Sequence, residues 1–592
     1  MTTSPAPATR ADGGSSRRQT ALVALASLAA CAYMFMWSLG TAPVAGDEAR
    51  HYRRAVNYFE APLPNFRVAH DPAYPAEGPG AVPYYDNCLW HMGLAMLWKL
   101  LGRESMLAAQ AYHTVFAFLL ALFTYRVGRE LYGHRGGLWA WALVLSIPMN
   151  VLFSMAFYME IPVLALAAMA MYFLLRRHAV GMGLAMGLMF LVKSPTSAVL
   201  IPPLLLAALL RIGPTWPRRL LRTALAAAVF VLVLVPDALW RMKHFGHLIM
   251  IRYTATPLCF PNLKVPPPKV SAVPFRIISP RAVLTMLGVS GPVAAVMAAA
   301  SAVWGIARSV GAMGKDLAQR GLRAVRTLTD AIPSWVLLGA VPLAAYILAY
   351  VVMLQRAYDV RYLEPITLML ALLAAGPLAR LPLRRTAETA SLSARWLPCA
   401  AAWVMILAMA GQFLAVPPVI RMYRRLPPEV KAGYEWIQKK TEPHSHVLYL
   451  EESLLAVTDR PIIWAAAIPR YLFSTSERNQ ARMLRYFDIR YIAIHPTRRI
   501  ADWSPEIEPT GYPISWLRTL PEREYLVRVR PSLSEAPPEE VPENTFVIYR
   551  VDYDKMPKEW IEDVRPGEWQ YLLNEKDRRA MEERSREREP AR

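Results

Sequence analysis

Residues 161–211 read IPVLALAAMAMYFLLRRHAVGMGLAMGLMFLVKSPTSAVLIPPLLLAALLR. Three apolar runs follow one another, separated by Arg176–Arg177 and by Lys193 and closed by Arg211, without a single acid. A helix needs about 20 apolar residues to cross the hydrocarbon of a bilayer, and a somewhat shorter run can serve with frayed ends. Repeated apolar runs punctuated by arginine describe a chain that crosses a membrane many times. Working outward, similar runs lie at 20–39, 106–125, 137–154, 222–240, 282–306, 332–354, 363–380 and 396–416. With 161–176, 181–193 and 195–210 they predict about eleven transmembrane helices.

The composition agrees. The 592-residue chain is 55% hydrophobic and only 19% charged, whereas soluble domains carry about 25% charged residues. Its net charge of +21 would suit nucleic acid, but the Lys and Arg residues sit in short loops between apolar runs, so no nucleic-acid partner is expected. Arg126/Arg129/Arg135, Arg176/Arg177, Arg211/Arg218/Arg219/Arg222, Arg308/Lys315/Arg320/Arg323/Arg326 and Arg380/Arg384/Arg385/Arg395 all fall on one side if 20–39 runs outward. Basic short loops mark the cytoplasmic face. This predicts a multi-pass protein of the cell inner membrane, N-terminus inside. The four cysteines contain no CxxC pair, so neither a zinc motif nor a disulfide framework is indicated.

Residues 1–18 are polar and basic and read as a disordered cytoplasmic tail. Residues 19–416 hold the spans, with a first outer loop at 40–104. Within that loop 83–101 (PYYDNCLWHMGLAMLWKLL) carries tryptophans and charges and reads as an interfacial helix, since making it cross would place the later basic clusters outside. Odd parity then puts residues 417–592 outside, where the composition becomes that of a soluble α/β domain. GYEWIQKK (433–440) and ERNQARMLRYF (477–487) read as helices, and HVLYL (446–450), DIRYIAIH (488–495) and TFVIYRVD (545–552) as strands. Gly181, Gly183 and Gly187 lie inside an apolar run with no strand before them, so they read as close helix packing rather than a nucleotide loop.

Charges at the outer ends of the spans are the candidates for chemistry. GDEARHYRRAVNYFE (46–60) opens an amphipathic helix with adjacent Asp47 and Glu48, a pair able to remove a proton from a hydroxyl or to hold a divalent metal. Acids also favour helix N-termini for electrostatic reasons alone. Glu160 stands at the outer edge of an apolar span, and Lys193 lies in an apolar run at the same level. QRAYDVRYLEP (355–365) adds Arg356, Asp359, Arg361, Tyr362 and Glu364. Cations there suit a phosphate, and the acids a hydroxyl nucleophile.

The order of these motifs resembles the GT-C glycosyltransferases of the protein O-mannosyltransferase and lipid A aminoarabinose transferase type. It comprises Asp47-Glu48 after the first span, Glu160-Ile161-Pro162, Lys193-Ser194-Pro195, and Arg361-Tyr362-Leu363-Glu364-Pro365. GRELYGHRGGLWAWALVLSIP (128–148) and GLAMGLMFLVKSP (183–195) are similar to the family's turn between spans two and three and to its fifth span. The resemblance covers about residues 20–416. It implies transfer of a sugar from a polyprenyl-phosphate carrier to a lipid, glycan or protein acceptor among membrane lipids on the outer face. Asp47 would be the general base, Glu48 its neighbour and Glu160 a second acid. Lys193, Arg361 and Arg356 would bind the lipid phosphate, with Tyr362 and Asp359 beside the donor. No cofactor is required by this scheme, and a divalent metal remains compatible with the paired acids. The sequence departs from the family at Glu160, where Asp is usual, at Ser194, where Gly is usual, and at Ala81-Val82-Pro83, which replaces a His-Pro-Pro. Two other classes fit many spans: a secondary transporter of a polar or anionic solute, and a non-catalytic scaffold with a partner-binding outer domain. A transporter would place its charges at mid-membrane and show repeated halves; here the charges gather at one face.

Overall fold

The computed structural model describes residues 13–41, 47–60, 89–245, 332–349, 363–380, 392–449, 460–464, 477–494, 523–531 and 545–565, with Leu454 and Thr458. The expected span at 282–306, together with Arg356, Asp359, Arg361 and Tyr362, lies outside them.

Helix α1 (Gly13–Ser38) begins inside the stretch expected to be a disordered tail. Residues 15–19 contain no breaker, so a helix nucleated in the apolar run propagates through them. Helix α2 (Asp47–Glu60) and helix α3 (Leu89–Leu101) pack on each other. At 13 residues α3 is about 20 Å long, too short to cross. Its tryptophans do not lie toward lipid headgroups: Trp90 and Trp98 are fully buried within the protein.

Helix α4 (Met106–Ser146) has a corner at Gly133, whose φ of 78° and ψ of −177° only glycine adopts readily. The chain folds back there, so that Tyr125 Oη lies 3.0 Å from His134 Nδ1. The arm leaving this corner ends earlier than the expected span 137–154. Pro148 drives Ile147 into extended backbone (φ −64°, ψ 120°) and starts a separate short helix, α5 (Pro148–Met155). Helix α6 (Glu160–Leu175) follows at a 114° bend. Helices α7 (Ala179–Val192) and α8 (Ser194–Arg211) meet at Lys193, and α9 (Trp216–Phe245) returns against α7. A Cβ on Gly183 would stand 2.4 Å from the Ala226 carbonyl oxygen, which is the close helix packing expected of these glycines. Helices α10 (Val336–Ala349), α11 (Ile366–Leu378) and α12 (Leu392–Tyr423) complete the apolar part. Among the described residues five helices are long and apolar enough to cross a membrane, or six if the bent α5–α6 pair is one span. Exposed leucines and valines on α1, α9 and α12 cover the outside of this bundle, as a lipid solvent requires.

After α12 come helix α13 (Pro428–Lys440), strands β1 (His446–Tyr449) and β2 (Ile462–Trp464), helix α14 (Glu477–Tyr486), strands β3 (Ile489–Ile494), β4 (Leu526–Arg530) and β5 (Val547–Val551), and helix α15 (Lys558–Ile561). The sheet order is β2-β1-β3-β5-β4, parallel among the first three strands and antiparallel after. Alternation sorts its faces. Leu448, Ile492 and Tyr549 pack with Met483 and Leu484 of α14, while Val447, Tyr449, Tyr491 and Ile548 pack with Val430, Tyr434 and Ile437 of α13. One residue from far upstream, Ala49 of α2, belongs to this second cluster. The start of α2 is therefore held between the helical bundle and the sheet.

Candidate active site

The break between α5 and α6, residues 156–159, leaves backbone groups that a helix would have satisfied, and buried ones need partners. Two distant side chains supply them. Glu48, fully buried near the start of α2, accepts a hydrogen bond from the Phe157 amide at 3.1 Å. Arg424, just after α12 and 3% exposed, pairs with the same carboxylate and donates its other Nη to the Met155 carbonyl. Glu48 and Arg424 thus fasten the start of α2 and the end of α12 to the head of α6.

Glu160 is the first residue of α6, where a helix N-terminus favours a negative charge. It is 2% exposed, and Lys193 Nζ donates to its Oε1. Lys193 sits between helices because Pro195 belongs to the first turn of α8 and cannot continue the hydrogen bonding of α7. The Lys193 backbone is extended (φ −155°, ψ 92°), which turns its side chain out of both helices. Glu364 lies in the turn Leu363–Pro365 before α11, is fully buried, and is within electrostatic reach of both Glu160 and Lys193. The head of α11 is fixed by Thr367, whose hydroxyl donates to Asn150 Oδ1 of α5 at 2.8 Å.

On the other side of the break, His51 Nδ1 and His91 Nε2 lie 3.0 Å apart. Burial first, and then the charges of Arg54, Lys193 and Arg50 beside His51 and of Arg54 beside His91, lower both pKa values well below the ordinary range, so both imidazoles are neutral. Beneath them Tyr52 stacks on Phe157 with centroids 5.9 Å apart, and Tyr158 meets His51 edge-on at 6.5 Å. Arg50 and Arg54 are almost entirely buried. The wall therefore holds two ion pairs, a third carboxyl and two further guanidiniums, all gathered around the α5–α6 break.

Of the residues singled out from sequence, Glu48, Glu160, Lys193 and Glu364 come together here. Asp47 opens α2 directly before Glu48; its side chain is outside the described residues, as are Arg356, Asp359, Arg361 and Tyr362. Arg424, His51, Arg50 and Arg54 are not among the sequence candidates, whereas His91, like His70, is a histidine near the place of the family's His-Pro-Pro. Among the described residues no group of three or more His, Cys, Asp or Glu side chains is placed to hold a metal ion.

Residues 89–240 match the family model described as dolichyl-phosphate-mannose-protein mannosyltransferase. The structure is similar to that of ArnT from Cupriavidus metallidurans bound to undecaprenyl phosphate, at 14% identity and a TM-score of 0.53, covering 91% of this chain and 99% of that one. It is also similar to the oligosaccharyltransferase AglB from Archaeoglobus fulgidus in complex with an inhibitory peptide and a dolichol-phosphate, at 12% identity and a TM-score of 0.55, covering 90% and 75%. The fold is that of the GT-C glycosyltransferases. No curated protein is significantly similar in sequence. The resemblance of the motifs to GT-C enzymes is thus matched by the fold, and the chain is a multi-pass membrane protein. The segment matched by the family model contains Glu160 and Lys193; Asp47, Glu48, Glu364 and Arg424 lie outside it in the sequence.

Proposed function

We propose that this protein is an inverting glycosyltransferase of the cell inner membrane. It moves a sugar from a polyprenyl-phosphate-linked donor to a lipid, glycan or protein acceptor on the outer face. The observation that carries this reading is the Glu160–Lys193 pair beside the start of α2. It brings acid and cation from motifs far apart in the chain to one wall. The family description and the two lipid-phosphate complexes support the donor class.

In this reading the acceptor hydroxyl attacks the anomeric carbon on the face opposite the phosphate. The bond from that carbon to the phosphate oxygen breaks, the hydroxyl proton passes to Asp47, and polyprenyl phosphate departs as a dianion. Lys193, with Arg361 and Arg356, stabilises the growing charge on the phosphate; Tyr362 and Asp359 contact the donor. Glu160 holds Lys193 until the donor phosphate competes for it. Glu48 is a positioning residue, since Arg424 and the Phe157 amide already occupy its carboxylate.

The topology that goes with this chemistry has about eleven crossings, a cytoplasmic N-terminus, the span region 19–416, and residues 417–592 as an extracytoplasmic α/β domain. Asp47→Asn should abolish transfer, by roughly 10²–10⁴-fold for loss of a general base, with folding and insertion unchanged. Purified protein given a radiolabelled polyprenyl-phosphate sugar and membrane-extract acceptors provides the assay. Normal transfer by this variant would remove the assigned base, and absence of any sugar release or transfer by the unmodified protein would remove the function.

A further inference from the structure

Glu364 has no role in the mechanism above, yet its surroundings are unusual. Its carboxyl is fully buried, and among the described residues neither oxygen has a hydrogen-bond partner. An isolated buried polar group is destabilising, and more so when charged, so such a group calls for an explanation. Among the described residues the cation within its reach is Lys193, which already pairs with Glu160, the nearby carboxylate. A carboxyl buried without a hydrogen-bond partner, beside a second carboxylate that already holds the lysine, favours its neutral form. Glu160 has both the lysine and the helix N-terminus, so the proton belongs on Glu364.

We propose that Glu364 is a further substrate-facing residue of this site, a neutral carboxylic acid whose O–H is donated to a phosphate oxygen of the lipid carrier. This rests on the proposed function. An ionised carboxylate would repel that phosphate; a neutral acid in a dry wall attracts it. As the carbon–oxygen bond breaks, the phosphate goes from one negative charge to two, and a donor aimed at it gains strength with the charge. The proton stays on Glu364 throughout and the transferred proton goes elsewhere, so no additional reactant is needed. The arrangement also accounts for burial without a partner, because the partner arrives with the substrate.

The test is binding of undecaprenyl phosphate to the full-length protein in detergent, alongside apparent melting temperature, for the unmodified chain, Glu364→Gln and Glu364→Leu. Glutamine keeps a neutral donor and should bind within about threefold of the unmodified protein; leucine removes the donor and should weaken binding about 10- to 100-fold, the range for a hydrogen bond to a charged group. The melting temperature of Glu364→Leu should equal or exceed that of the unmodified protein, since an orphan polar group has been removed. Glutamine as defective as leucine would overturn the proposal, and so would unchanged binding by leucine or a large fall in its melting temperature. Failure of the unmodified protein to bind undecaprenyl phosphate at all would instead count against the donor class.

Discussion

Arg424 and Glu48 stand 376 positions apart, yet in the folded chain each is the other's charge partner away from water. Breaking a buried pair from one side strands a charge, at a cost of about 3–5 kcal/mol. Arg424→Met alone should therefore lower the apparent melting temperature sharply and Glu48→Met should do likewise, while the double variant recovers most of the loss. Melting curves for all four corners of the cycle in one detergent check this; additive losses would mean that the pair is not coupled. The sequence makes Glu160 and Lys193 conspicuous because each is a charge in an apolar run. Arg424 draws no attention there: it follows Arg421 and precedes Arg425 at the end of a span, where arginines usually mark an interface. Its importance comes from a partner that only the fold supplies. His51 and His91 are likewise 40 positions apart, and only the fold brings their rings together.

Elements show where period and punctuation are enough. The expected runs 161–176, 181–193 and 195–210 coincide closely with α6, α7 and α8, because Arg176–Arg177 and Lys193-Ser194-Pro195 interrupt the helices as well as the hydropathy. The run at 137–154 hid the break at Ile147, because hydropathy continues across Pro148 while backbone hydrogen bonding does not. The α7–α9 contact depends on missing side chains. On Gly183 a Cβ would meet backbone, whereas on Gly187 it would meet Val233 at 2.7 Å. Gly183→Ala should lower stability by about 1–3 kcal/mol through overpacking, and should also reduce transfer because α7 carries Lys193 at its end. Gly187→Ala should be milder, since it meets one apolar side chain and no backbone carbonyl, although the Val233 Cβ moves only with its own helix. Surviving monodisperse protein after a heat step gives the ranking; equal tolerance at both positions would contradict this account of the contact.

At the scale of the whole molecule, the residues after α12 do more than follow the bundle. Ala49 is buried among Tyr434, Tyr449 and Phe546, one position from Glu48 and two from Asp47. Removing residues 429–592 takes away that side of α2 while leaving Arg424 in place. The shortened protein should still insert and bind undecaprenyl phosphate but lose transfer at least tenfold, measured as acceptor labelling beside lipid binding. Transfer at the original rate would show that α2 needs no cover.

The seating of Ala49 also governs how this protein could be recombined with its relatives. A chimaera cut only after α12 would join one partner's bundle to the other's sheet across a mismatched seam, because the surface on which the sheet rests is encoded almost 400 positions earlier. Residues 47–60 must travel with the C-terminal half, and whichever parent donates them also donates the aspartate.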